Sequence, residues 1–373
     1  MFFKKFATFA LISFSLLVFA CESAEENVTE IVAPEENTTE IAVEKEIVEK
    51  INVLATTPMI AEYVRQVGND NIDLNILMPY SADPHSFEAS PQDAKKIADA
   101  DLVFYVGLKY ESANLVELLE NSVSSEDILI EIGPSIDPIE FSEEGHEGHD
   151  DHEGHDGHEG HDHGIYDPHF WFDPVRVSMA VEVIKDELIK NDSANESSYA
   201  SAAASFVSEL EALDQNVVAM FETIPVENRK IITTHEALGY LEAKYEIEVL
   251  TTIIPSLNSE DGITPKSLRN AIEVIEKNKI EVMFLEAESS SQYSEVIEQE
   301  TGIALVSGLW VETLQENQSY VEWLENNVTI IVNNLPTEVH DDHDHDHDHD
   351  DHDDDDDDDD DDHDGHDHGK KDK

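Results

Sequence analysis

From 196 to 224 the chain repeats apolar residues every three or four positions: Tyr199, Phe206, Leu210, Leu213, Val217, Met220 and Ile224. That spacing places them on one face of an α-helix. At 1.5 Å per residue such a helix is on the order of 45 Å long, far above the mean helix length. A small lobe is not that wide. The helix is either a long core element or a rod joining two lobes, and its neighbours decide between these.

On its N-terminal side the sequence alternates strand and helix. Ile51–Ala55 reads as a buried strand, 58–67 as a helix and 72–78 as a second strand. A short helix at 91–100 has Pro91 in its first turn. Leu102-Val103-Phe104-Tyr105-Val106 is continuously apolar between Asp101 and Gly107, as in a parallel strand covered on both faces. A helix at 114–121 and a strand at 128–132 follow. Asp173 can then cap a helix that has Pro174 at its first position and runs to about Lys190. Beyond the long helix the alternation resumes. Strands are expected at 230–234, 248–254, 282–285 and 303–306, with helices at 237–245, 265–278, 294–301 and 319–333. The predicted fold is α/β: two parallel-sheet lobes, 50–190 and 229–336, joined by a rigid linker helix within 191–228. Ligands of such sheets bind at the carboxyl ends of the strands.

The histidines point to a site between the lobes. Of 19, seven lie in a Gly-rich run (His146, His149, His152, His155, His158, His161 and His163) and nine lie beyond 339. His85, His169 and His235 remain, each at an expected strand-to-helix loop. Two of them share a frame, Asp83-Pro84-His85 and Asp167-Pro168-His169, each followed closely by aromatic residues. Proline stiffens the loop and extends the residue before it. The aspartate can bond local N–H groups or orient the imidazole from behind. Three imidazoles suit zinc, whereas a carboxylate-rich set suits manganese better. A carboxylate or water would complete the site. Glu312, after the last strand, is the candidate, and Glu286, at the end of 282–285, is its rival.

The termini and the low-complexity segments complete the reading. Lys4 and Lys5, an apolar run over 6–20 and the lone cysteine, Cys21, resemble a lipoprotein signal with Cys21 as the lipidation site. Segment 1–20 is then a signal peptide, and 21–49 a flexible tether to a membrane. The segment 142–164 and the His/Asp-rich tail 337–373 cannot bury a core and are expected to be disordered, weak metal-binding stretches. A net charge of −65 excludes nucleic acid as a partner. An enzyme using zinc hydroxide lacks support, because His235-Glu236 has no second histidine four residues after His235.

Taken together, 83–88, 98–102, 167–174 and the strand ending at His235 resemble the zinc- and manganese-binding solute-binding lipoproteins of bacterial ABC transporters, cluster A-I. The resemblance spans about 51–335. It implies a monomeric, exported, metal-capturing protein with the metal in the inter-lobe cleft and a membrane permease as partner. It carries over His85, His169 and His235 as ligands. Histidine at the third position is implied to favour Zn2+, where manganese-type members have glutamate.

Overall fold

The apolar run 102–106 forms the central part of a four-stranded parallel sheet. Its strands are β1 (Ile51–Ala55), β2 (Ile72–Ile76), β3 (Leu102–Tyr105) and β4 (Leu129–Glu131), in the order β2-β1-β3-β4. Ala55 pairs with both Ile76 and Phe104, and Tyr105 with Glu131. The order reverses at β1. The loops after β2 and β3 therefore leave from opposite sides of the crevice where such sheets bind ligands. Helices α1 (Pro58–Gly68), α2 (Pro91–Ala98) and α3 (Ala113–Ser122) connect the strands. The computed structural model describes residues 50–80, 82–141, 166–288 and 293–338. Cys21, the tether, the seven histidines of the insert and the tail from 339 lie outside the described residues.

α4 (Pro174–Asn191) starts as expected: Asp173 accepts the N–H of Val175 at 3.0 Å, and Pro174 fills the first helical position. α5 (Glu196–Phe221) follows. Its 26 residues give a length of about 39 Å. It stops three residues short of the expected end because Pro225 pushes Ile224 out of helical geometry, although Ile224 stays buried. Near its start Ser198 accepts from Asn71, in the connection before β2. Further along, Asp214 accepts from Tyr245 and Asn216 donates to Glu325, both in the second half of the chain.

That second half pairs β5 (Lys230–His235) with β6 (Glu248–Ile254), and β7 (Val282–Glu286) with β8 (Ala304–Leu309), each pair parallel. β5 packs beside β7. Helices α6 (Gly239–Tyr245), α7 (Pro265–Asn278), α8 (Ser294–Thr301) and α9 (Tyr320–Asn334) complete it.

Strand alternation explains how the parts are held together. Val53, Ala55, Leu102 and Phe104 face one large core with α1, α4, α5 and α9, and Ile231, Val282 and Phe284 face the same core from the second half. The alternate residues Leu54 and Val103 look into a separate outer core. Ile232, Met283 and Leu285 look into another. β1, β3, β5 and β7 thus have two buried faces, as their unbroken apolar runs require. α5 is seated in the shared core by Tyr199, Ala203, Phe206, Leu210, Leu213, Val217 and Phe221.

Candidate metal centre

Each of the two Asp-Pro-His turns closes on itself. Asp83 Oδ1 accepts the His85 N–H at 2.9 Å, and Asp167 Oδ1 accepts the His169 N–H at 2.8 Å. This is the short-range bond that makes aspartate a turn residue. Asp167 also takes the His169 ring, with Oδ1 2.7 Å from Nδ1, so Nε2 points away from it. The residues after His169 anchor the turn. Phe170, Trp171 and Phe172 are all buried, and Trp171 Nε1 donates to the Val311 carbonyl at 2.7 Å. His85 lies in the loop between β2 and α2, and His169 just ahead of α4. His235 differs from expectation: it is the last residue of β5 and still pairs with Ile254.

Glu286, the rival fourth ligand, stands behind His235. Its carboxylate accepts the His235 N–H at 2.9 Å and the Thr233 hydroxyl at 3.1 Å, and lies 2.6 Å from Nδ1. It does for His235 what Asp167 does for His169. Both rings are thereby turned with Nε2 inward, as orienting carboxylates do at metal sites.

Glu312 enters from the turn after β8. Asn327 brackets that turn, accepting from the Trp310 N–H and donating to its carbonyl. The Glu288 carboxylate receives the N–H groups of Val311, Glu312 and Thr313. Burial and the nearby Glu312 charge raise Glu288 to about 8. Oε1 of Glu312 faces the imidazoles, 2.7 Å from His235 Nε2, 3.2 Å from His169 Nε2 and 3.6 Å from His85 Nε2. One donor atom from each of the four residues falls within 4.8 Å of the others. Tetrahedral zinc with 2.0–2.1 Å bonds places its ligands about 3.3 Å apart, so the cluster is close to the size the ion needs.

Electrostatics favours a cation here. Burial works against charge on His169, but the Glu312 and Asp167 carboxylates outweigh it and raise this group to about 9. His235 is raised well above its ordinary value despite burial, by Glu286 and Glu312. Burial opposes the Glu312 charge, yet the surrounding imidazoles hold the group well below the usual carboxylate range. Among the described residues, Nε2 of His85 and of His235 is buried and finds no hydrogen-bond partner of regular geometry. Oε1 approaches the latter closely, but outside hydrogen-bonding geometry. Buried polar nitrogens in that condition are costly unless something else satisfies them.

His169 and His235 are fully buried, whereas His85 is 9% exposed. With Leu108, Lys109, Phe141, Pro168 and Leu257 it lines a cavity of about 230 Å³. Of the four clustered residues only His85 lines this cavity. Phe141 and Pro168 flank the sequence position of the His-rich insert.

Sequence reasoning missed Tyr110, which donates to Glu312 Oε2 at 2.9 Å and to the Glu312 carbonyl at 3.2 Å. It also missed Glu288 and Ser259; the Ser259 hydroxyl donates to Asp83 Oδ2 at 2.8 Å. The partners are separated by 202 residues in the first case and 176 in the last. No local pattern marks such pairs.

Two α/β lobes around a buried cluster of three histidines and one carboxylate define a metal-binding protein of the solute-capture class. The chain belongs to the family described as zinc-uptake complex component A, periplasmic, whose model matches residues 53–334. Membership places it among the binding components of metal-uptake systems, not among enzymes. It is 25% identical over 294 residues to the metal ABC transporter substrate-binding lipoprotein ScbA of Streptococcus cristatus, covering 77% of this chain and 89% of that one. The manganese ABC transporter substrate-binding lipoprotein PsaA of Streptococcus anginosus is 24% identical, with 77% and 90% covered. Among solved structures, the periplasmic zinc binding protein TroA from Treponema pallidum matches with a TM-score of 0.66 at 21% identity, over 76% of this chain and 99% of that one.

Proposed function

We propose that the chain captures zinc outside the cytoplasm and delivers it to the membrane permease of an ABC transporter. His85, His169 and His235 each give Nε2, and Glu312 gives Oε1. The observation that carries this reading is the donor set: three imidazole nitrogens and one facing carboxylate oxygen within 4.8 Å. Nitrogen-rich, four-donor sites suit zinc, whereas manganese favours oxygen donors and higher coordination. Glu286 acts from behind His235 and is not a ligand. The zinc-uptake family description supports the same cargo, while the manganese name carried by relatives such as PsaA makes manganese the rival.

Cys21 would carry the lipid anchor, with 22–49 as a tether, and the body works as a monomer. Among the described residues no helix is long and apolar enough to cross a membrane. The histidines from His146 to His163 lie in sequence between Phe141 and Pro168, which line the cavity, and serve as a weak collecting segment. Deleting residues 143–163 is expected to lower zinc uptake under scarcity; unchanged uptake removes that role.

Calorimetric titration of the chain lacking both His-rich segments tests the main reading. Zinc is expected to bind one site, with manganese markedly weaker. Loss of that site in Glu312→Ala and His235→Ala assigns the ligands. Manganese binding as tight as zinc would overturn the cargo.

A further inference from the structure

Glu312 presents its two oxygens to different partners. Oε1 faces the three imidazoles, while Oε2 accepts the Tyr110 hydroxyl at 2.9 Å. We propose that Tyr110 sets the metal preference of the centre by holding Glu312 to a single coordinating oxygen. The inference rests on the ligand assignment above and adds a determinant of specificity to it.

Tyr110 is placed firmly. The chain leaves β3 through Gly107, Leu108 and Lys109, all with positive φ, and the Tyr110 N–H bonds back to the Gly107 carbonyl at 2.9 Å. Buried Glu111 fixes the start of this loop, accepting the Val106 and Gly107 N–H groups at 2.8 and 2.9 Å and the Thr56 hydroxyl at 2.7 Å. The phenol ring is itself 1% exposed. Its edge contacts put ring centres 5.2 Å from His85, 5.9 Å from His169 and 5.1 Å from Trp171. Burial and the neighbouring Glu312 raise the phenol well above its ordinary pKa, so the hydroxyl keeps its proton.

Two consequences follow for an ion at the cluster. The Oε2 lone pair facing Tyr110 is engaged, so the carboxylate gains little by swinging to chelate. The ring also fills the volume beside His85 and His169 into which water ligands would have to fit. Both effects hold the coordination number at four. That favours zinc and disfavours manganese, which prefers more oxygen ligands and a larger coordination number. Removing the hydroxyl frees Oε2 as a fifth donor.

The test compares the full-length chain with Tyr110→Phe, using cobalt as a spectroscopic probe and zinc and manganese in competition. The spectrum of His235→Ala, which retains both His-rich segments, is subtracted from each. The parent chain is expected to give the intense visible bands of four-coordinate cobalt. In Tyr110→Phe these bands weaken towards five-coordination. The manganese-to-zinc affinity ratio rises about tenfold, the scale on which groups behind a ligand act. Tyr110→Leu, which also empties the ring volume, shifts both readouts further and serves if the first variant folds poorly. Unchanged bands and an unchanged ratio in the folded variant overturn the proposal. Failure of the ligand assignment looks different: the parent chain and His235→Ala would then give the same spectrum before any change at Tyr110.

Discussion

His169 and His235 are built alike, and His85 is built differently. Each of the first two has a carboxylate on Nδ1, from Asp167 and Glu286, and no exposed surface. Among the described residues no carboxylate stands on Nδ1 of His85. Its aspartate, Asp83, bonds the backbone of the turn and reaches across to Ser259, in the connection between β6 and α7. A carboxylate behind an imidazole fixes its direction and makes it a stronger donor. On the proposed ligand set, the difference makes His169 and His235 the residues expected to hold the ion and His85, beside the cavity, the one expected to admit and release it.

The largest effect that could break this comparison is loss of a ligand. His169→Ala and His235→Ala are expected to weaken zinc binding by more than the about 10–100-fold typical of losing an orienting partner. His85→Ala should cost less and act mainly on the dissociation rate. Stopped-flow release into a chelator, beside calorimetry, separates the two, and an equal loss in all three variants would erase the distinction.

Next come the partners. Asp167→Asn and Glu286→Gln are expected to lower affinity by about 10–100-fold. Competition titration measures this, and loss of only one of these effects would mean that the two backed histidines are not equivalent.

A pH series sharpens the contrast. In the metal-free protein His169 is raised to about 9. A raised histidine stabilises the fold fully below its unfolded value near 6.5, and that contribution is lost as pH rises towards 9. Metal binding must displace the same proton, so it strengthens over the same window. The thermal shift produced by one equivalent of zinc is therefore expected to grow from pH 6.5 to pH 9. A flat profile would deny that proton and metal compete at His169.

Ser259→Ala should give the smallest change, a few-fold faster release, with Ser259→Thr restoring the parent rate. An unaltered rate in Ser259→Ala would show that the tie to Asp83 does not govern His85.

Much of this arrangement was legible in the residues. Strands with unbroken apolar runs read as covered on both faces, and the three cores confirm why. His85, His169 and His235 stood out because no other histidine lies outside the low-complexity segments, and the structure brings all three together with Glu312. The sequence names Glu312 as the candidate ligand and Glu286 as its rival, but holds no geometry for either. Glu286 ends β7 and Glu312 follows β8, and only the packing of β5 beside β7 puts Glu286 behind His235 instead of in front of it. Tyr110 and Ser259 left no trace because hydrogen bonds between distant segments have no period. Apolar spacing carries the long helix to Ile224, three residues past its end at Phe221, because Pro225 stops the helical backbone before the pattern stops.

The central core reaches from the first sheet through α1, α4, α5 and α9 to β5 and β7 without a break. Exposing even one large apolar side chain from it would cost about 1.5–3 kcal/mol, and prising the halves apart would expose many. A body sewn together in this way does not gape like a shell. On the proposed function, handover is then a matter of loosening one rim, and the receiving permease is expected to come to the doorway and draw the ion out.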